Sequence, residues 1–168
     1  MGRDAARLVK LHVITVGHKP PDWVAAGFEE YARRMPRSAR ITVTEIKPAP
    51  RSRQAPSEAS VARILSEEKS RILGAIPPGC VKIALDERGK QISTAELAHR
   101  LDGWMQGGRD VAFVIGSADG LDRDLKAGAD LLLSLSAMTL PHALVRVLLA
   151  EQLYRAHSLI RSHPYHRD

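Results

Sequence analysis

With a single cysteine in its 168 residues, Cys80, the chain can form neither an internal disulfide nor a paired-cysteine metal knuckle. No apolar run reaches the roughly eighteen residues that a membrane-spanning helix needs. Residues 1–7 are polar and lack the apolar core of a secretion signal, which points to the cytoplasm. The phosphate-loop pattern GxxxxGK[ST] is absent. The glycines from Gly116 to Gly120 do not have GxGxxG spacing, and no acidic residue follows at the distance a dinucleotide site requires. Ser117 directly follows Gly116, which excludes the GxSxG nucleophile elbow. His163 and His166 stand three apart with no carboxylate or cysteine at ligand spacing, so no metal site is expected. There is no internal repeat and no linker, and the length suits one domain over residues 1–168.

What is present is a globular composition, 44% hydrophobic and 26% charged, with a lopsided charge. Residues 1–79 hold 14 basic and 8 acidic side chains, whereas residues 80–168 hold 11 of each, so the whole excess of +6 lies in the first half. A localised positive excess attracts polyanions by counterion release, while a basic balance kept for solubility would look the same in composition.

Apolar periodicity alternates between strand and helix. Residues 8–16 alternate as a strand, and residues 17–21 form a turn. Asp22 is placed to cap a helix carrying Val24, Phe28, Tyr31 and Met35 on one face, with Glu29/Arg33 and Glu30/Arg34 as ion pairs and Pro36 as its stop. A second strand is expected at 40–46. The Pro- and Ser-rich segment 47–57 reads as a mobile surface loop displaying Lys47, Arg51 and Arg53. Ser57 opens a helix with Val61, Ile64, Leu65, Glu68 and Ile72 at helical intervals, closed by Gly74. A strand at 81–85 and a tight turn at 86–89 lead to a helix that Ser93 and Glu96 begin as a capping box. The wholly apolar run 111–115 has the pattern of a strand buried on both faces, and a short helix (122–129) and strand (131–135) follow. The last helix starts at Pro141 and carries Val145, Leu148, Leu149, Leu153, Ala156 and Ile160 on one side. Arg146 leaves that stripe, and Glu151 pairs with Arg155. The alternation predicts an α/β fold with a mainly parallel sheet flanked by helices.

Ligands of parallel sheets bind beyond the carboxyl ends of the strands. Three loops lie there: one starting at Asp86, one at 116–120 and one at 136–141. Their glycines permit close backbone approach, or serve only as turn residues. Four of the seven histidines fall in the last 27 residues. The tail 162–168, with His163, Tyr165, His166 and Arg167, either frays or holds a nucleotide by stacking and phosphate pairing.

The run from Leu135 to Ala156, LSAMTLPHALVRVLLAEQLYRA, together with the HPYHR of residues 163–167, closely resembles the RlmH family of bacterial methyltransferases of the large ribosomal subunit RNA, within the knotted SPOUT class. The likeness also covers Gly17 with Pro21-Asp22-Trp23, the FEEY of 28–31, Leu85-Asp86, and Gly116 to Gly120. It implies an α/β sheet whose C-terminal part forms a trefoil knot, and a homodimer with its site near the subunit interface. It also implies S-adenosyl-L-methionine held at Leu85, Gly116, Leu135, Ser136, Ala137, Met138, Thr139 and Leu140. The reaction implied is methyl transfer to N3 of a pseudouridine in 23S ribosomal RNA. Two features depart from the family pattern: Ser117 stands where a second glycine is common, and residues 1–7 form an N-terminal extension.

A neutral imide nitrogen is a poor nucleophile, so that reaction needs a group to accept the N3 proton. His142, Tyr165 and His166 are candidates, and Arg155 and Arg167 could stabilise the imide anion or bind phosphate. Arg33, Arg34, Lys47, Arg51 and Arg53 are candidate RNA contacts, with the large subunit or the whole ribosome as partner and neither membrane nor metal involved. Two rivals are a ribosome-binding or assembly module with a vestigial cofactor pocket and a small-molecule enzyme that uses a nucleotide.

Overall fold

In the computed structural model, which describes residues 7–162 and 165, five strands alternate with five helices. They run β1 (Val9–Val16), α1 (Asp22–Ala32), β2 (Ala39–Ile46), α2 (Glu58–Ala75), β3 (Val81–Gln91), α3 (Thr94–Gly107), β4 (Val111–Ile115), α4 (Arg123–Ala127), β5 (Leu131–Ser134) and α5 (His142–Ile160). The sheet is wholly parallel, in the order β2-β1-β4-β3-β5. All five residues of β4 are buried, as expected of a central strand covered on both faces. One face packs Val111, Phe113 and Ile115 with residues of α1, α3 and α5. The other packs Ala112 and Val114 with Ile72 of α2 and Leu125 of α4. Among the described residues no helix is long and apolar enough to cross a membrane.

Local chemistry sets the element ends. Ser57 and Ser60 cap α2 reciprocally, each side chain accepting from the other's backbone N–H. At α3 only half the expected box forms: Ser93 accepts the Glu96 N–H, while the Glu96 carboxylate turns to Arg100 and Lys90. Asp22 is the first residue of α1 and not its cap, which is Pro21 and makes no side-chain capping bond. Glu30 takes both Arg33 and Arg34, displacing the expected Glu29–Arg33 pair.

Three larger departures shape the site. Residues 86–89 are not a turn that ends β3. Leu85 and Lys90 both pair with Leu133, so the chain loops out for four residues and rejoins the same strand. At this excursion a Cβ on Gly89 would lie 2.7 Å from the Leu132 carbonyl carbon and oxygen, so the two backbone segments lie in direct contact. Arg146 does not leave the apolar side of α5. It is 3% exposed, at helical spacing from the buried Leu149, Ala150 and Leu153, and donates to Glu45 Oε1 at 2.8 Å. The loop 47–57 is free only in its second half: Ala49 is 2% exposed, and Arg71 donates to the Lys47 carbonyl at 2.7 Å.

Candidate functional site

Beside the excursion within β3 and at the carboxyl ends of β4 and β5, the three loops identified from the sequence meet around a cleft of about 390 Å³. Leu85, Asp86, Glu87 and Arg88 form one wall, residues 115–121 a second, and Leu133, Leu135, Ser136, Met138, Thr139 and Leu140 a third. His142 and Val145 of α5 close the end. Of the eight expected binding residues, seven line this space; Ala137 is not among the lining residues.

Each wall has an identifiable brace. Gly116 packs so closely on Gly120 that a Cβ there would sit 2.4 Å from the Gly120 carbonyl oxygen. Gly120 itself turns at φ +85°, with its N–H on the Ser117 carbonyl at 2.9 Å. Ser136 folds its loop back by accepting the Met138 N–H at 2.9 Å, which leaves the Met138 side chain 76% exposed at the rim. Thr139 donates to Glu87 Oε2 at 2.9 Å, linking the third wall to the first. Asp86 receives Lys126 Nζ at 3.0 Å and the Arg88 N–H at 2.8 Å. Desolvation raises the Asp86 carboxyl, but the Arg88 N–H and the Lys126 ammonium outweigh it and hold it below the usual carboxylate value.

The cleft therefore offers apolar walls for a ring system (Leu85, Ile115, Leu121, Leu135, Leu140, Val145) and charges of both signs at its edge: Asp86, Glu87, Asp119, Arg88 and Lys126. Sequence reasoning found the loops but missed their braces: Lys126 on Asp86, Thr139 on Glu87 and Arg51 on Asp119 join residues 40 to 68 positions apart.

The expected catalytic residues do not gather in one place. His142 is at the cleft, against Gly17, where a Cβ would come 3.1 Å from the imidazole Nε2. Arg155 lies 13 residues further along α5, about 20 Å away at ~1.5 Å per residue, and does not line the cleft. It pairs with Glu151 at 2.7 Å, and its guanidinium lies 5.0 Å from the Tyr165 ring centre. Tyr165 packs on Tyr154 with ring centres 4.6 Å apart and donates to Glu151 Oε1 at 3.3 Å. Burial, a hydrogen bond with Tyr31 and the Glu151 charge push its phenol up to about 12, so it is a poor proton acceptor at neutral pH. His166 and Arg167, with His163, lie outside the described residues.

Of the expected RNA contacts, Arg33 and Arg34 are held by Glu30 and Arg51 by Asp119. Lys47 and Arg53 are exposed on loop 47–57.

Comparison with known proteins gives this arrangement its context. Residues 9–166 match the family model described as "Predicted SPOUT methyltransferase". A protein of Paraburkholderia xenovorans called ribosomal RNA large subunit methyltransferase H is 57% identical over 95% of this chain and 99% of its own length. A protein of the same name from Burkholderia vietnamiensis is 56% identical over the same shares. Among solved structures, a methylase-family protein of Haemophilus influenzae superposes with a TM-score of 0.53 at 12% identity, covering 90% of this chain and 66% of that one. One from Neisseria gonorrhoeae gives 0.51 at 13%, covering 92% and 85%. The two structures share the fold, and the sequence relatives share far more: the chain belongs to the SPOUT methyltransferases and, within them, to the ribosomal RNA large subunit methyltransferase H family.

Proposed function

We propose that the chain methylates N3 of a pseudouridine in 23S ribosomal RNA on the assembled ribosome, as a cytoplasmic homodimer using S-adenosylmethionine. The observation that carries this reading is the convergence of the excursion 86–89 and the loops after β4 and β5 on one cleft with apolar walls and a rim of both charges. That donor set suits a cofactor with an adenine ring, ribose hydroxyls, an ammonium and a carboxylate. Leu85, Leu135, Met138 and Leu140 would pack on its apolar parts, with Gly116 giving backbone access. Ser136, Ala137 and Thr139 would shape the loop around it, and Glu87 is placed to accept from hydroxyl groups. When bound, the cofactor supplies an electrophilic methyl carbon on a sulfonium.

The chain's own residues do the rest. His142, at the cleft, takes the N3 proton. Arg155, Tyr165, His166 and Arg167 act on the cleft of a second copy, because α5 carries Arg155 away from its own. There Arg155 and Arg167 hold the imide anion or a phosphate, and Tyr165 and His166 position the base. Lys47 and Arg53 bind RNA phosphate. Residues 1–168 are taken as one domain, with 1–7 ahead of the family match. Its C-terminal part is tied as a trefoil knot, as the family resemblance implies.

The test is mass mapping of 23S RNA from cells lacking this protein, complemented with wild-type or variant chains. Wild type should restore one N3-methylated pseudouridine. His142→Ala or Arg155→Ala alone should fail, and the two co-expressed should restore part of the signal through mixed dimers. Full methylation without the protein would refute the assignment, and no recovery on co-expression would refute the exchange of tails.

A further inference from the structure

The sequence puts an acid, Glu68, in the apolar stripe of α2, and the structure buries it to 2% exposure. An apolar residue would satisfy the packing of that helix without the cost of desolvating a carboxylate. What Glu68 gains lies elsewhere. Its Oε1 accepts the Ala49 N–H at 3.1 Å and sits 3.4 Å from Arg51 Nη2; its Oε2 accepts the Ser117 hydroxyl at 2.8 Å. Arg51 completes the ring. Its Nη2 donates to Ser117 Oγ at 3.0 Å, its Nε and Nη2 to Asp119 Oδ2 at 3.0 and 2.8 Å, and its Nη1 to the Ala49 carbonyl at 3.3 Å. The next residue of α2, Lys69, reaches Asp122 at 3.4 Å, and Asp122 caps α4. Two adjacent residues of one helix thus hold both ends of the segment 117–122, of which Ser117 and Asp119 line the cleft.

Ser117 is central to this ring because its hydroxyl both donates and accepts; a glycine at that position would leave the Glu68 oxygen and the Arg51 nitrogen without that partner. Loop 116–120 is exposed from Ala118 to Gly120 and otherwise closes only through the Ser117–Gly120 bridge. Holding it in one shape before a ligand arrives removes an ordering cost from binding.

We propose that Arg51, Glu68 and Ser117 are positioning residues of the methyl-donor site. They fix loop 116–120 and the Asp119 carboxylate in the shape that receives the cofactor, and Arg51 is committed to this task and not to RNA phosphate. The inference rests on the cofactor reading of the cleft. Its test is calorimetric titration of S-adenosylmethionine into the full chain, wild type, Arg51→Ala, Ser117→Ala and the double variant, alongside ribosome affinity as a function of salt. Arg51→Ala should raise the cofactor Kd about tenfold, and Ser117→Ala several-fold. The double variant should be no worse than Arg51→Ala by more than about twofold, since both cut one network. Arg51→Lys, which keeps the charge near Asp119 but not the fork to Ser117, should fall between wild type and Arg51→Ala. The salt slope of ribosome binding should not change.

A cofactor Kd within about twofold of wild type in Arg51→Ala overturns the proposal, as does full additivity in the double variant. A salt slope reduced by about 1 in Arg51→Ala makes the arginine a phosphate contact instead, and overturns it equally. Ser117→Ala removes one hydroxyl only and keeps the test decisive should Arg51→Ala fold poorly. Failure of the wild type itself to bind S-adenosylmethionine would sink the cofactor reading, which separates that failure from this one.

Discussion

Gly116→Ala probes the cleft at its tightest point. The added Cβ would stand 2.4 Å from the Gly120 oxygen, 2.6 Å from its carbonyl carbon and 2.9 Å from Leu121 Cγ. Ordinary contact begins near 3.4 Å, so the oxygen must retreat by about 1 Å. Leu121 is buried and held by the core around α4, whereas Gly120 is exposed and anchored by one hydrogen bond to Ser117. The displacement therefore goes into the turn, which opens. Overpacking of this kind costs about 1–3 kcal/mol. Because the turn can yield to solvent, little of that cost stays in the unliganded fold, and a ligand that needs the closed turn must meet it on binding. The cofactor Kd should rise roughly 5- to 150-fold at ~1.4 kcal/mol per factor of ten. The melting temperature should fall by no more than about 4 °C, the shift expected for roughly 1 kcal/mol in a chain of this size. Calorimetric titration and thermal melting on the same preparation separate the two terms. A folded variant with wild-type affinity would show that loop 116–120 does not grip the donor.

Gly89→Ala should behave in the opposite way. Its Cβ would meet the backbone of Leu132 and Leu133 in β5, at 2.7 to 2.8 Å, and Leu133 is held in the core at 1% exposure, so the strain falls on the paired strands. We expect a loss near ~3 kcal/mol, the upper end for overpacking, and a melting point lowered by roughly 10 °C; wild-type melting would mean that the contact of Gly89 with β5 is loose. Tyr165 supplies a pH test. Its folded phenol is pushed to about 12 against an ordinary 10, so the stability it lends is whole below pH 10 and is lost as pH rises towards 12. Ultraviolet titration of wild type minus Tyr165→Phe should show an ionisation near 12. A midpoint at 10 would dissolve the cluster with Tyr31, Tyr154 and Glu151.

What the sequence made legible follows from the range of the interactions involved. The run 111–115 announces a doubly covered strand because five consecutive apolar residues have nowhere else to go, and the cleft follows from where parallel strands end. The braces of the cleft were not legible. Arg51 finds Ser117 and Asp119 across 66 and 68 positions, and composition alone made its loop look free. Residues 86–89 read as a strand-ending turn because nothing local reports that Lys90 returns to the same partner as Leu85. One signal was available. Glu68 sat in an apolar stripe, and a charge at a core position asks for a partner. Arg146 carried the same signal, since it stands three, four and seven residues before the buried Leu149, Ala150 and Leu153, and its partner Glu45 lies on β2.

Helix α5 joins the two halves of the expected catalytic set and keeps them apart. Its start is fixed by His142 against Gly17 and by Arg146 on Glu45. Its end is fixed by Arg155 and Glu151 under Tyr165. Nineteen residues of unbroken helix span about 28 Å, and with tertiary anchors at both ends a bend that would bring Arg155 to the cleft has no source. If Arg155 acts on the RNA base as proposed, it does so at the cleft of another copy. For the proposed homodimer, the simplest arrangement that serves both copies alike is a twofold axis that sets Arg155 of each chain towards the partner's cleft.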